Sequence, residues 1–350
     1  MNNKVHNDII LSMINKSIRD WVLKNGDSIK SILESFKSKR ILVIGDLILD
    51  QFIWGEVSRI SPEAPVPVVW VKRESYMPGG ACNVAHNLSG LGSKASIMGI
   101  VGDDTNGGIL LSELNNIGID TDRVITDSLR PTTHKVRVIA HSQQVVRIDR
   151  ESPDNVSRKS VNSILSMLEE EIRSTDAVII EDYGKGLISP QLLKRVVELG
   201  KKFKKIVTVD PKNEHFKYYK GITTITPNKA EAEEAVGFKI DNEDSLRRAG
   251  EKLIKTLDIK SVLITLGDKG IYLFEVNKNP VHLPTMARQV YDVSGAGDTV
   301  IAVFTLAVAS GASLVQAAYI ANQAAGIVVG KMGTATVSKK ELWGEIKKWK

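Results

Sequence analysis

Tyr291-Asp292-Val293-Ser294-Gly295-Ala296-Gly297-Asp298-Thr299-Val300, carried on by the apolar run Ile301 to Ala309 and closed by Gly311, reads as a tight turn opening into a buried helix. Gly295 and Gly297 have no Cβ, so backbone N–H groups can converge on an anion there, and the helix N-terminus adds its partial positive charge. The turn has the makings of a phosphate cradle. Asp298 is the anomaly, because a carboxylate beside a bound phosphate is repelled by it. Either it serves the molecule that the phosphate meets, as a general base for a sugar hydroxyl, or it only complements the dipole of its own helix. The turn alone leaves both readings open.

The 350 residues supply enough material for one large α/β domain or two ordinary ones. Hydrophobic content of 42% and charged content of 25% are average for a soluble globular protein. The net charge of +6 favours anionic ligands, yet the basic residues are scattered among acids, which suits small phosphorylated molecules and not nucleic acid. The lone Cys82 excludes an intramolecular disulfide framework and a cysteine-rich zinc site, and fits a reducing compartment. Without a basic leader or an apolar stretch of spanning length, a cytoplasmic protein with no membrane partner is expected.

Residues 1–37 read as a helical extension. Ile10, Met13, Ile14, Ile18, Trp21 and Val22 recur at helical spacing, Asn25-Gly26-Asp27 makes a stop, and a second short helix carries Ile29, Leu33 and Phe36. The main domain is expected over residues 38–350. Ile41-Leu42-Val43-Ile44 is a central parallel strand ended by Gly45-Asp46, with Asp46 and Asp50 just past it, where an open α/β sheet binds ligands. They are acceptors for a polyol, unless one of them, Asp50 above all, caps the next turn.

Residues 50–76 and 132–150 break that pattern. Phe52-Ile53-Trp54 and Val68-Val69-Trp70-Val71 flank a proline-punctuated loop, and the segments Lys135 to Ala140 and Gln144 to Asp149 alternate in character around a turn at His141 to Gln143. They predict a small antiparallel sheet, a lid over the crevice or a dimerising flap, with Lys135 and Arg137 on one face. Between them, Gly79 and Gly80 precede Asn83 at a helix start. The paired glycines let a ligand approach the backbone, and the Asn83 amide can both donate and accept.

The second half repeats a strand and helix rhythm. Its apolar runs end in Glu181-Asp182-Tyr183-Gly184-Lys185-Gly186, Asp210-Pro211-Lys212, Thr226-Pro227-Asn228 and Leu266-Gly267-Asp268-Lys269-Gly270. One sheet edge therefore gathers Asp182, Lys185, Asp210, Lys212, Asn228, Glu231, Thr265 and Asp298, carboxylates for Mg²⁺ waters and lysines for phosphates. Asp210, directly before proline, also reads as a simple turn former.

Gly45-Asp46-x-x-x-Asp50, Gly79-Gly80-x-x-Asn83-x-Ala85, Asn228-x-x-Glu231 and Asp292-x-x-Gly295-Ala296-Gly297-Asp298-Thr299 together resemble the ribokinase-like (PfkB) sugar kinases over nearly all of residues 38–340. The run Arg59 to Pro67, Gln143-Gln144-x-x-Arg147-x-Asp149 and Asp182 to Gly186 are similar to one branch, the kinases of D-glycero-β-D-manno-heptose 7-phosphate. The resemblance implies a three-layer α/β sandwich with a mostly parallel sheet and a small β lid. It implies transfer of the ATP γ-phosphate to the anomeric hydroxyl of the heptose phosphate, on the way to ADP-heptose for lipopolysaccharide. Asp298 becomes the base, with Gly295 and the amides of Ala296 and Gly297 in the anion hole. Asn228, Glu231, Thr265, Gly267 and Asn322 fall near ATP, Glu231 facing Mg²⁺ through water. Asp46, Gly79, Gly80, Asn83, Asp182 and Lys185 fall on the sugar side, and Lys135, Arg137 or Lys185 would hold the phosphate already on the acceptor. Asp292 matches a position that helps hold a monovalent cation in some relatives. A homodimer through the lid and a separate adenylyltransferase, whose half is missing after Val337, complete the expectation. The rivals are another sugar, sugar phosphate or nucleoside as acceptor, and a nucleotide-binding sensor or scaffold. Asp298 argues against the second, since a pure binder needs no base.

Overall fold

Runs such as Ile41-Leu42-Val43-Ile44 have no polar face, so a strand built from them must be covered on both sides. The computed structural model describes residues 21, 23–141, 143–286 and 290–348, and such strands form its centre. Helix α1 (residues 23–35) leads to β1 (Arg40–Gly45), β2 (Leu47–Ile60), β3 (Pro67–Gly80) and α2 (Ala81–Gly90). Next come β4 (Lys94–Gly102), α3 (Thr105–Asn116), β5 (Asp120–Asp127), β6 (Thr133–Ala140), β7 (Gln143–Arg150) and α4 (Arg158–Ser174). Strand β8 (Ala177–Glu181), α5 (Pro190–Lys202), β9 (Ile206–Asp210), β10 (Thr224–Ile225), α6 (Lys229–Val236) and α7 (Glu243–Leu257) follow. The chain continues through β11 (Ser261–Thr265), β12 (Ile271–Glu275), β13 (Val281–Leu283), α8 (Ala296–Ala309), α9 (Leu314–Val328) and α10 (Lys339–Lys347).

The main sheet has the order β13-β12-β11-β10-β9-β8-β1-β4-β5, parallel from β11 to β5 and antiparallel at β12 and β13. Strand alternation assigns its side chains to two cores. Ile41, Val43, Ile179 and Leu263 pack with α2, α8 and α9, whereas Leu42, Ile44, Val178, Ile180, Val262 and Ile264 pack with α4, α5 and α7. This is the expected three-layer sandwich. Helix α8 is buried from Asp298 through Ala307, as an all-apolar helix must be, so its first turn opens at the carboxyl edge of the sheet.

One expectation fails and another is met with a difference. Asn25-Gly26-Asp27 does not stop a helix; α1 runs through it, with the Asn25 amide donating to the Trp21 carbonyl at 2.8 Å. The cost of one helical glycine, about 1 kcal/mol, is small beside the burial of Ile29, Ile32, Leu33 and Phe36 in the core shared with β1 and α8. The earlier stripe, Ile10 to Ile18, lies outside the described residues.

The lid is also not purely antiparallel. Its order is β3-β2-β6-β7, two antiparallel hairpins joined by a parallel pairing of β2 with β6. The reason is topological: β2 leaves β1 and β6 follows β5 at the same edge of a parallel sheet, so both run outward in the same direction. Strand β2 also begins at Leu47, which puts Asp50 inside a strand and removes its reading as a cap.

If residues 23–36 are part of the core, Phe36→Ala in the full chain costs about 3–5 kcal/mol in urea-induced unfolding. A loss under about 1 kcal/mol would show the segment to be dispensable.

Candidate active site

Asp298 is the third residue of α8 and only 5% exposed. Its Oδ2 accepts from Asn83 Nδ2 at 2.6 Å and its Oδ1 from the Tyr183 hydroxyl at 3.1 Å. Burial raises its pKa, and the bonds from Asn83 and Tyr183 moderate the rise. The carboxylate is therefore aimed by α2 on one side and by the loop after β8 on the other. Behind it, Asn87 Nδ2 donates to the Asn83 carbonyl at 2.9 Å, and the Thr299 hydroxyl donates to Asn87 Oδ1 at 3.0 Å. Asn83 and Asn87 stand one turn apart on α2, so one helix face carries the whole support.

Gly295 caps α8 at φ 75°, and a Cβ there would sit 2.5 Å from Asn83 Nδ2. Glycine at this position serves the Asn83–Asp298 contact as well as the turn. In the first turn, the Ala296 N–H reaches back to the Val293 carbonyl at 3.3 Å. The Gly297 N–H has no hydrogen-bond partner among the described residues and is the donor best placed for an anion.

Three carboxylates meet here. Donor oxygens of Glu181, Asp210 and Asp298 lie within 4.8 Å of one another. Glu181 is wholly buried and neither of its carboxyl oxygens has a hydrogen-bond partner among the described residues. Burial, then the charges of Asp210 and Asp298, pushes its pKa well up, and burial with the charge of Glu231 lifts Asp210 to about 8. Carboxylates this close and this dry cannot all stay ionised. Either they keep protons or a hard cation neutralises them, and an orphaned carboxylate beside two others is a donor set that suits Mg²⁺.

Glu231, the expected Mg²⁺ residue, is a neighbour of this group through its charge on Asp210, but one of its oxygens is engaged. It forms a reciprocal capping box with Asn228: Glu231 Oε2 accepts from the Asn228 N–H at 2.9 Å, and Asn228 Oδ1 from the Glu231 N–H at 3.0 Å. Thr265, Gly267 and Asn322 line one cavity of about 250 Å³ with Ala296 and Gly297, so the three expected nucleotide residues share a space with the first turn of α8. Asn228 is tied to its rim by the bridge to Thr265. The Asn322 amide already donates to the Pro284 carbonyl at 2.7 Å.

The sugar-side expectations divide. Asn83 stands at the centre. Asp46 Oδ2 accepts from the Tyr183 and Lys185 N–H groups, both at 3.0 Å, so it clamps the loop after β8; burial lifts its pKa to about 6. At Gly79 and Gly80 the missing side chain makes room for the chain's own atoms. A Cβ on Gly79 would meet Asp50 Oδ2 at 2.5 Å, and one on Gly80, at φ 55°, the Asp46 carbonyl oxygen at 2.6 Å. The space belongs to the protein's own acidic residues. Asp182 is likewise committed: its Oδ2 accepts from the Tyr219 hydroxyl at 2.6 Å with His215 Nδ1 also at 2.6 Å, and its Oδ1 accepts from the Gly184 N–H at 2.9 Å. The bond to Asp182 raises the pKa of His215.

The three residues expected to hold the acceptor's phosphate are all paired. Arg137 meets Asp50 at 2.5 Å and covers the Phe52 ring, Lys135 reaches Asp149 and Glu151, and Lys185 reaches Glu151. Asp292 accepts from the Ser294 and Gly333 N–H groups at 2.9 and 3.0 Å, which bends the loop before the turn. Glu181 and Tyr183, which carried no role in the sequence, are the groups missed, while Asp210 was gathered at this edge with a turn former as the other reading. The available signal was position, since all three sit at the tips of neighbouring parallel strands.

Because Asp210 holds its proton from its ordinary 3.8 up to about 8 in the folded chain, the folded state binds more protons in that window, and stability falls as pH rises through it. Asp210→Asn is therefore expected to raise the melting temperature at about pH 9 and leave it nearly unchanged at about pH 4. Mg²⁺ at the higher pH should stabilise the parent chain more than the variant. Equal shifts in both would remove Asp210 from the cation site.

Comparison with known proteins bears on the same residues. The chain is 47% identical over 311 residues to the bifunctional protein HldE of Desulfatibacillum aliphaticivorans, covering 89% of this chain and 64% of that protein. It is 46% identical over 319 residues to HldE of Geobacter metallireducens, covering 91% and 65%. The chain thus spans a little under two thirds of the length of these relatives. Among solved structures it resembles Arabidopsis thaliana ribokinase complexed with ribose and ATP, with a TM-score of 0.70, 22% identity, and 88% of this chain and 99% of that one covered. Escherichia coli phosphofructokinase-2 in complex with potassium matches with a TM-score of 0.74 at 20% identity, covering 89% and 99%. At these identities the structures share the fold. The pfkB family carbohydrate kinase pattern matches residues 38–341, a span that takes in every strand of both sheets and the whole of the Asp298 turn, and the chain belongs to that family.

Proposed function

We propose that the chain is an ATP-dependent kinase that phosphorylates the anomeric hydroxyl of D-glycero-β-D-manno-heptose 7-phosphate, giving the 1,7-bisphosphate. The observation that carries this reading is the Asp298 carboxylate, held by Asn83 and Tyr183 beside the cavity that the first turn of α8 shares with Thr265 and Asn322. The names of the similar HldE proteins and the motifs shared with heptose phosphate kinases support the choice of acceptor.

Phosphoryl transfer depends on alignment and charge neutralisation. Thr265, Gly267 and Asn322 would line the nucleotide, with Asn228 and Glu231 at its rim, so that the γ-phosphate lies over α8. The Gly297 N–H and the positive end of α8 then face the charge that develops on the transferring group. Asp298 takes the proton from the attacking hydroxyl. A base of raised pKa, desolvated and fixed by two hydrogen bonds, suits that task near neutral pH. Mg²⁺, when bound among Glu181, Asp210 and Glu231, would offset phosphate charge. Each Asp292 oxygen accepts one backbone N–H and keeps a second lone pair with which it could serve a monovalent cation.

No helix among the described residues is long and apolar enough to cross a membrane. A cytoplasmic homodimer is proposed with the function, joined through the lid, where Trp70, Val145, Val146 and Ile148 are exposed. A nucleotidyltransferase that acts on the 1-phosphate once the 7-phosphate has been hydrolysed off is its proposed partner in the pathway.

Asp298→Asn keeps the side-chain shape and removes the base. Turnover in a coupled ADP-release assay is expected to fall by about three orders of magnitude, with nucleotide affinity within about threefold of the parent. Near-normal turnover would take the base role from Asp298.

A further inference from the structure

A bridging carboxylate ties the lid to the loop after β8 of the main sheet. Glu151, the residue after β7, accepts from Lys185 Nζ at 2.9 Å and from Lys135 Nζ at 3.1 Å. Lys135 comes from β6 of the lid and Lys185 from the loop after β8, so the two ammonium groups approach from different layers. Both are largely withdrawn from water, with side chains 14% and 21% exposed, while that of Glu151 is 31% exposed.

The three groups differ in how firmly they are held. The backbone of Lys185 is fixed on both sides, its N–H donating to Asp46 and its carbonyl accepting from Arg130 at 2.7 Å. Lys135 sits in a strand paired on both edges. Glu151 lies past the last β7 pairing, at the start of a segment of bends through Asp154. The carboxylate is therefore the member that can leave.

Two desolvated ammonium groups converging on one point form a site for a multivalent anion, and a carboxylate supplies only part of what a phosphate dianion offers. Lys135 also donates to Asp149 at 2.8 Å, whereas the ion-pair partner of Lys185 among the described residues is Glu151, so when Glu151 leaves it is Lys185 above all that needs another anion. Arg137 does not compete for this role, because Asp50 and the Phe52 ring already fix it.

We propose that Glu151 is a built-in substitute for the acceptor's own phosphate: it occupies the Lys135–Lys185 pair in the empty enzyme, and a phosphate monoester displaces it toward solvent. The identity of the anion rests on the sugar phosphate reading above. The arrangement makes Glu151 a selectivity residue, since an unphosphorylated sugar has nothing with which to displace it. It also couples acceptor binding to the lid, because the phosphate inherits the bridge between β6 and the loop after β8.

The test uses inorganic phosphate and the full chain, followed by calorimetric titration. Glu151→Gln is expected to bind phosphate about tenfold more tightly than the parent, and adding Lys185→Met should abolish the gain. Unchanged or weaker binding by a folded Glu151→Gln chain overturns the proposal. Should that variant fail to fold, Lys135→Met and Lys185→Met must each weaken phosphate binding to the parent about tenfold, and unaltered binding in either overturns it as well. If phosphate binding tightens as expected while no sugar phosphate is turned over, the displaceable carboxylate stands and the kinase reading is what fails.

Discussion

A carboxylate buried at the start of an apolar helix is the constraint to which the rest of the site answers. Asp298 can remain there because Asn83 and Tyr183 each give one of its oxygens a donor, and because the helix end contributes positive potential. That requirement sets the residues around it. Gly295 must lack a side chain so that Asn83 can approach, Asn87 must hold Asn83, and Thr299 must hold Asn87. Helix α8 itself has no freedom to tilt away, since Thr299 through Ala307 are buried on all sides.

The electrostatic design is uneven across the crevice. On the side of β8 and β9, negative charge is concentrated beyond what buried groups can sustain, and Glu181 faces other acids, with Asp210 near enough to share a proton with it. That surplus is the kind of imbalance a cation would correct. On the lid side every basic residue singled out is neutralised by an acid of the same chain. The first side carries surplus charge within the protein; the second is balanced by the chain's own acids.

Much of the site was legible because a parallel sheet collects the residues that follow its strands along one edge, wherever they stand in the chain. Asp298, Asn83, Thr265 and Asn228 could be assigned to that edge from strand endings and glycine turns alone. Less legible were residues whose chemistry suits a ligand but which also have partners within the protein. Asp182 looked like a sugar acceptor and is bound to Tyr219 and His215; Gly79 and Gly80 looked like an open backbone and are filled by Asp50 and the Asp46 carbonyl.

Hydrophobic periodicity and turn chemistry are local properties, so the sequence by itself determined the strands, the buried helix, the glycine-capped turn and the two lid hairpins. Tertiary structure alone decided the parallel join between those hairpins, the unbroken path of α1 and the pairing of charges. Asn83 and Asp298 are 215 positions apart, and Asp50 and Arg137 are 87 apart. The reason is physical: a charge responds to distance and to the water around it, and neither quantity exists until the chain has closed on itself.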